Sequence, residues 1–163
     1  MQPPSTPPPA TAAQRTERAS ALIAHVLARF HDTHRAEMPL IGRLARGLPA
    51  QGVPPGLPAR LQAMCDALEA HMFKEEMRLF PMMEQGGGTL IGRLIEDMHA
   101  EHLRHAAEMA ELAQALGQLQ VPPAAQPQAA ALRAAVAKLF DDLALHIAVE
   151  DDELFPLFDA PAG

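Results

Sequence analysis

The sequence is poor in cysteine and in aromatic residues, and these gaps narrow the classes of protein that it can belong to. Its 163 residues include no Trp or Tyr, 6 Phe and a single Cys. One thiol cannot form an internal disulfide, which is compatible with the reducing cytosol, and we expect a cytoplasmic location. We interpret Cys65, beside the apolar face of a predicted helix, as a small buried residue and not as a reactive thiol.

Basic charge and long apolar runs are also scarce. The formal net charge is -7, so the chain lacks the basic surface that nucleic acid binding requires. No apolar run approaches the roughly 20 residues needed to span a bilayer, and the first residues do not have the pattern of a secretory signal. We therefore expect neither nucleic acid nor a membrane as a partner. Residues 1–13, rich in proline, are expected to form a disordered tail.

What the sequence has in abundance is helix-favouring apolar residues. Almost half of the chain is hydrophobic (48%), with Ala, Leu and Met prominent, and this favours helix over sheet. Apolar side chains recur at alternating steps of three and four in four long stretches, separated by loops rich in Pro and Gly. The predicted helices cover about residues 14–46, 57–84, 90–119 and 128–158. Residues 14–159 are therefore predicted to form an all-α, up-down-up-down four-helix bundle.

Proline and glycine predict further details of these helices. Pro39 lies inside the first helix and should kink or split it. The glycines at 86–88 should end the second helix, and Thr89 is a plausible N-cap for the third. Pro81 and Pro156 mark the approaching ends of the second and fourth helices.

The most informative pattern occurs twice. The motif His-x-x-x-Glu-x-x-x-Leu-Phe-Pro begins at His71 and again, 75 residues later, at His146. Positions four apart share one face of a helix, so Glu75 and Glu150 should point inward beside their histidines. One inward histidine is usually a hydrogen-bonded core residue. Two identical copies favour a bound cation, because burying two carboxylates without a partner costs several kcal/mol each.

The first and third helices each add at least one inward histidine near the middle of the bundle, where bundles build metal sites. Four imidazoles and two carboxylates are too many ligands for one ion, but they suit two ions bridged by the carboxylates. Mixed nitrogen and oxygen ligation without thiolate fits iron or manganese, and zinc can occupy such sites too. We predict two non-haem iron ions, and the predicted metal ligands are His31, His71, Glu75, His102, His146 and Glu150.

The pattern alone leaves alternatives among the histidines. His34 lies on the inward face almost as well as His31, and a histidine that is not a ligand could orient one or shuttle a proton. His105 stands in the same relation to His102. The remaining two lie off the polar centre and are interpreted as partly solvated residues without a function: His25 and His99.

The acidic residues near the repeat leave a further choice. Asp151 stands five residues after His146, a step that rotates it by about 140° on a helix, so Glu150 is preferred and Asp151 is the second choice. Glu101 could accept a hydrogen bond from a ligand, but we interpret it as a surface carboxylate. The others are interpreted as a solvated acidic face, which comprises Glu76, Asp151, Asp152 and Glu153.

These motifs resemble those of the hemerythrin-like bundle proteins, and more closely their repair-of-iron-centres branch. The resemblance covers about residues 20 to 158. It is carried by Arg29-Phe30-His31-Asp-Thr-His34-Arg35, by His71-x-x-Lys74-Glu75-Glu76 with Leu79-Phe80-Pro81, by Glu101-His102, and by His146-x-x-x-Glu150 with Leu154-Phe155-Pro156. The branch has a di-iron site of four His and two bridging Glu, which matches the six predicted ligands and favours His31 over His34. Fuller members carry a further N-terminal segment with cysteines, which has no counterpart in this sequence.

The resemblance implies a non-haem di-iron protein of nitric oxide or oxidative stress. Such a protein would bind nitric oxide, oxygen or peroxide, or supply iron to repair damaged iron–sulfur proteins. The alternative is an oxygen or nitric oxide carrier or sensor without turnover. Oxygen-carrying hemerythrins use a His-x-x-x-His pair on the third helix, where this chain has histidines at steps of three. A ferritin-like oxidase needs Glu-x-x-His on two helices, and only Glu96-x-x-His99 qualifies.

Overall fold

Four long helices make up the computed structural model, which describes residues 7–159. The first bundle helix comprises α1 (Ala12–Val26), a π-helical segment (Leu27–His31) and α2 (Asp32–Arg46). The second comprises α3 (Leu57–Lys74), a π-helical segment (Glu75–Leu79) and α4 (Phe80–Glu84). The third is α5 (Ile91–Gly117). The fourth comprises α6 (Gln126–Val149), a π-helical segment (Glu150–Leu154) and a 3₁₀ turn (Phe155–Phe158), and a short 3₁₀ turn (Pro123–Ala125) precedes it.

The helices pack as the sequence predicts. Within the described residues α2 contacts α3 and α6, and α5 contacts the same two helices, so each long helix lies between two neighbours. This arrangement confirms the all-α, four-helix bundle. No helix in the described part of the chain combines the length and the apolar character needed to cross a bilayer.

The first helix begins earlier than its apolar pattern indicates. Thr11 is the N-cap residue, because its side chain accepts a hydrogen bond from the Gln14 N–H at 3.2 Å while the Gln14 side chain accepts one from the Thr11 N–H at 2.8 Å. This reciprocal capping places the start at Ala12 and not at Gln14. Residues 7–11 of the predicted tail have no helix, and residues 1–6 lie outside the described part.

The helix continues through Pro39 to Arg46, so this proline does not split it, and a kink at this residue stays a prediction. One local prediction is wrong. Thr89 is not an N-cap, because it lies in a turn closed by the Ile91 N–H and the Gly88 carbonyl at 3.1 Å, and Leu90 takes the cap position. The predicted glycine turn is present: Gly86 has φ +93°, a left-handed conformation that side chains rarely adopt.

Three π-helical segments interrupt the long helices at predicted ligand positions. Each is closed by an N–H that donates to a carbonyl five residues earlier, and the accepting residues are Leu27, Glu75 and Glu150. The extra residue shifts the later side chains of the helix. Met83 is therefore buried where the regular spacing predicts Met82, which is only half-buried. Segments of this kind are frequent at functional sites.

Two apolar cores lie on either side of the polar centre. The first core joins α2, α3, α6 and the second half of α5, and its fully buried members include Leu68, Leu112 and Leu132. The second core joins α1, α4 and the first half of α5, with Val26 and Met83 fully buried. The polar centre is therefore enclosed by apolar packing along the bundle axis.

Leu68→Ala should lower the free energy of unfolding by about 2–5 kcal/mol, because Leu68 is fully buried in the first core and truncation leaves a cavity. Denaturant unfolding measures the change. Leu103→Ala is the matched control, since Leu103 is 75% exposed and should change stability by less than about 0.5 kcal/mol. Equal effects of the two substitutions would contradict the assignment of Leu68 to the core.

Candidate metal centre

The six side chains predicted as ligands lie together in the centre of the bundle. They form two overlapping groups, in each of which the four ligand atoms lie within 4.8 Å of one another. The first donor group is His31, Glu75, His146 and Glu150. The second donor group is His71, Glu75, His102 and Glu150. All six side chains are buried, with at most 3% exposure.

The two glutamates are shared between the donor groups. Oε1 of Glu75 lies 3.0 Å from Nε2 of His71, and its Oε2 lies 3.1 Å from Nε2 of His31. Oε1 of Glu150 lies 3.1 Å from Nε2 of His102 and 3.3 Å from Nε2 of His146. Each carboxylate thus contacts one imidazole of the first donor group and one imidazole of the second.

These atoms approach one another without forming the hydrogen bonds that burial normally demands. Among residues 7–159, neither carboxylate oxygen of Glu75 or Glu150 has a hydrogen-bond partner, and the same holds for Nε2 of His31 and of His146. Orphaned buried polar atoms are rare because each costs about 1–3 kcal/mol or more. Several acceptor atoms that converge on a buried centre can be satisfied by cations. The residues present therefore fit a metal centre.

A second layer of polar residues contacts the outer face of every histidine in the donor groups. The Nδ1 atoms of these imidazoles pair with Glu76 Oε1 at 2.8 Å (from His31), Glu101 Oε2 at 2.6 Å (from His71), Asp151 Oδ1 at 2.8 Å (from His102) and His34 Nε2 at 3.2 Å (from His146). A proton held on Nδ1 by such a partner leaves the Nε2 lone pair free for a cation.

The interpretation of three acidic residues as solvated surface is wrong. The side chains of Glu76, Glu101 and Asp151 are 21%, 13% and 29% exposed, and each contacts an inner histidine. The sequence carried a signal, since each of these acids adjoins a predicted ligand. Helix geometry places each acid on a different face of its helix from the adjoining ligand. From that face its carboxylate contacts Nδ1 of a histidine on the adjacent helix. The other two acids, Asp152 and Glu153, are exposed as predicted.

Basic side chains form ion pairs with the three acids of the second layer, Glu76, Glu101 and Asp151. Arg35 donates to Glu76 at 2.7 Å and to Glu69 at 2.9 Å, and Lys74 pairs with Glu101. His99, whose side chain is 44% exposed, lies 3.0 Å from Asp151. His99 is therefore partly solvated as predicted, but it contacts the second layer.

The remaining histidines and the cysteine also have defined positions. His34 is fully buried and lies behind His146, in the orienting position that the sequence allowed for it. His105 is 7% exposed and packs edge-on against His71, with ring centroids 5.2 Å apart. His25 is exposed. Cys65 is buried, and burial raises the pKa of its thiol to about 11, as expected for an unreactive residue.

Comparison with known proteins agrees with this geometry. Residues 22–158 match the family model described as the hemerythrin HHE cation binding domain. The chain belongs to the hemerythrin HHE cation-binding family. The match spans all four bundle helices and contains both donor groups.

Several curated relatives are named iron-sulfur cluster repair protein YtfE. The chain is 35% identical to the protein of Dickeya chrysanthemi over 140 residues and 36% identical to that of Cronobacter sakazakii over 143 residues, each alignment covering 83% of this chain. It is 33% identical to the Escherichia coli O1:K1 protein over 150 residues, which is 87% of this chain. The chain spans about 63% of the length of the first two relatives and 67% of the third.

The electrostatics of this hemerythrin-family centre favour positive charge. Burial lowers the pKa of His71, but the charge of Glu75 and contact with Glu150 outweigh it and raise the pKa to about 9. The pKa of His31 and of His102 is raised for the same kind of reason. Burial raises the pKa of Glu150, yet the facing imidazoles hold it well below its usual range. Without cations, protons on the imidazoles balance the two carboxylates.

The metal-free protein should therefore lose stability as the pH rises. His71 has a pKa of about 9 in the folded state against 6.5 when unfolded, so its contribution is complete below pH 6.5 and lost as the pH approaches 9. The loss should reach up to about 3 kcal/mol, since one pKa unit corresponds to about 1.4 kcal/mol. Glu150, whose pKa is lowered, stays ionised throughout this window.

Denaturant unfolding of chelator-treated protein at several pH values between 6.5 and 9 measures this dependence. His71→Gln is the comparison variant, because it removes this group and should remove the part of the pH dependence that His71 contributes. A flat profile in the unaltered protein would contradict the raised pKa of His71.

Proposed function

We propose that this chain is a non-haem di-iron protein that binds nitric oxide or oxygen species, or supplies iron for the repair of stress-damaged iron–sulfur clusters. The sharing of Glu75 and Glu150 between two donor groups carries the proposal. Two groups that share both carboxylates and no imidazole suit two ions bridged by those carboxylates. The proposed ligands are the six predicted residues.

The donor chemistry supports iron. Each donor group offers two imidazole nitrogens and carboxylate oxygens, with no thiolate, and this mixture suits iron or manganese, while zinc can also bind. When bound, two iron ions would supply redox chemistry and a place for a diatomic molecule to add. The metal identity is therefore the first quantity to measure.

The residues of the chain would position and insulate these ions. Glu75 and Glu150 contact imidazoles of both donor groups. Carboxylates outside the centre accept from Nδ1 of His31, His71 and His102, so that the Nε2 atoms of these histidines face the centre. The two apolar cores keep bulk water away from the carboxylates. A small uncharged molecule such as nitric oxide or oxygen can cross apolar packing more readily than an ion can.

The relatives support repair as the biological setting. Proteins named for iron–sulfur cluster repair match most of this chain, so iron–sulfur proteins are the proposed partners. The one cysteine of the sequence is buried and free, which is compatible with the reducing cytoplasm, the location that we propose. Reversible carriage or sensing of a diatomic molecule would use the same site, and it differs only in the fate of the molecule after binding.

Metal analysis of anaerobically purified protein, with absorption spectra before and after nitric oxide, tests the proposal. We expect about two iron ions per chain and a new spectrum with nitric oxide. Iron transfer to an apo iron–sulfur protein, or turnover of nitric oxide or peroxide, would then separate supply or catalysis from simple carriage. A protein that cannot bind two metal ions under any loading condition would contradict the di-iron proposal.

A further inference from the structure

The two donor groups differ in what supports them from outside. In the second donor group both imidazoles contact a carboxylate through Nδ1, His71 with Glu101 at 2.6 Å and His102 with Asp151 at 2.8 Å. In the first donor group only His31 has a carboxylate partner, Glu76, at 2.8 Å. Glu75 and Glu150 are common to both donor groups. The groups therefore differ in the residues of the second layer that contact their histidines.

The remaining imidazole of the first donor group, His146, contacts a histidine in place of a carboxylate. Its Nδ1 lies 3.2 Å from Nε2 of His34, which is fully buried and packs against the ring of Phe30. If the Nε2 of His146 binds a cation, its Nδ1 carries the proton and donates a hydrogen bond to Nε2 of His34. His34 then accepts as a neutral ring, and its own Nδ1 has no hydrogen-bond partner within residues 7–159.

A neutral acceptor supports a cation less well than a carboxylate does. A carboxylate on Nδ1 draws the proton outward and raises the electron density at Nε2, and its negative charge attracts the cation directly. Losing such an outer contact typically costs 10–100-fold in metal affinity. The first donor group has one carboxylate contact of this kind and the second has two.

The surrounding cations do not cancel this difference. Arg35 contacts Glu76 through two nitrogens, at 2.7 and 3.2 Å, and is shared with Glu69. In the second donor group Glu101 pairs with Lys74 and lies 3.9 Å from Arg104. Apart from His102, Asp151 faces only the partly exposed His99 among the described basic side chains. Asp151 is therefore the one carboxylate of this outer layer that has no Lys or Arg partner among the described residues, and the first donor group has no counterpart to it.

We infer that the two donor groups hold their ions unequally, and that the ion bound by His31 and His146 is the one released. This inference deepens the proposed function and depends on it. His71 and His102 would retain their ion, so that Glu75 and Glu150 keep a bound cation between them after the first ion has left. A protein that supplies iron would then give up one ion per chain and remain folded.

Iron release into a strong chelator tests this ordering. Protein loaded anaerobically with two iron(II) ions is mixed with excess chelator, and the absorbance of the iron chelate is followed with time. We expect two phases of equal amplitude with rates at least about 10-fold apart, from the affinity difference that one outer contact makes. Release of both ions in a single phase would overturn the inference.

Three substitutions and one control substitution assign the phases. Asp151→Asn keeps the shape of the side chain but removes its charge, so it should speed the slow phase by about 10- to 100-fold and leave the fast phase unchanged. His34→Leu removes the acceptor behind His146 and should speed the fast phase, and His34→Gln, which restores an acceptor, should return it towards the original rate. Asp152→Asn is the matched control, since Asp152 adjoins Asp151 but is exposed.

The outcomes separate the two proposals. If Asp151→Asn speeds the fast phase instead, the ordering is reversed and the inference is wrong. If the unaltered protein never holds two ions, the di-iron proposal fails and the ordering fails with it. If two ions bind but leave together, the di-iron proposal stands and only the ordering is rejected. Circular dichroism checks that each variant is folded, and the two phases of the unaltered protein test the ordering even if a variant is not.

Discussion

Replacing Glu75 with Gln should remove both metal ions from the protein and not just one. The two carboxylate oxygens of Glu75 lie 3.0 Å from Nε2 of His71 and 3.1 Å from Nε2 of His31, and these imidazoles belong to different donor groups. An amide is neutral and has one acceptor oxygen where the carboxylate has two. The affinity for each ion should fall by about 100-fold or more, beyond the typical effect of an outer contact.

Metal content after gel filtration, together with calorimetric titration by iron(II), measures this loss. Glu84→Gln is the matched control, because Glu84 lies on the same bundle helix and is exposed, so two ions should remain. His102→Ala provides a second comparison, since this residue belongs to the second donor group alone. A Glu75→Gln protein that keeps one ion at full affinity would show that Glu75 does not serve both donor groups.

The double variant in which Leu replaces both Glu75 and Glu150 should fold and bind no metal at the centre. Its melting temperature should not change when metal is added. Both carboxylates are fully buried, and among residues 7–159 none of their oxygens has a hydrogen-bond partner. Replacing a whole buried charged network with apolar residues is often neutral or stabilising, but removing one side of it is destabilising, because the other side is left without a partner. The four imidazoles remain in this variant, so we expect it to fold but to be less stable than the chelator-treated protein at pH 6.5, where Glu75 and Glu150 stabilise the protonated His71.

Thermal unfolding with and without iron(II) measures this expectation. The unaltered protein should melt at a higher temperature with metal than after chelation, because a ligand that binds only the folded state stabilises it. The double variant should melt at the same temperature in both conditions. A double variant that is stabilised by iron(II) as strongly as the unaltered protein would place the binding site elsewhere in the molecule.

The inward positions of the centre could be predicted because the helix repeat and the duplicated motif agree. A step of four residues keeps Glu75 below His71 and Glu150 below His146, and buried unpaired carboxylates demand partners. These arguments need only local geometry and a free-energy cost. They hold in the structure even though a π-helical segment begins at each glutamate, since the histidine that precedes it lies in regular helix.

The outer layer could not be predicted from the same arguments. Glu76, Glu101 and Asp151 occupy positions that the helix repeat turns away from the centre, so their sequence context resembles a solvated face. Their contacts depend on which helix packs beside them and at what height. Glu76 reaches His31 across 45 residues of sequence, and Asp151 reaches His102 across 49. Such pairings arise only in the assembled bundle.

The choice between His31 and His34 shows the same limit. Both fit the apolar repeat, and family resemblance, not spacing, favoured His31. The structure adds a physical reason: His31 is the last residue of a π-helical segment that widens the helix by one residue, so it faces the carboxylates, while His34 lies behind His146. A repeat of 100° per residue cannot represent that local change.

The contribution of all four helices to the centre has a consequence for how the protein matures. His146 and Glu150 lie on the last of these helices to leave the ribosome, and Glu150 belongs to both donor groups. A chain in which only the first three bundle helices have formed offers His31 and Glu75 to one ion, and His71, Glu75 and His102 to the other. Neither donor group is complete until the fourth bundle helix packs against the other three.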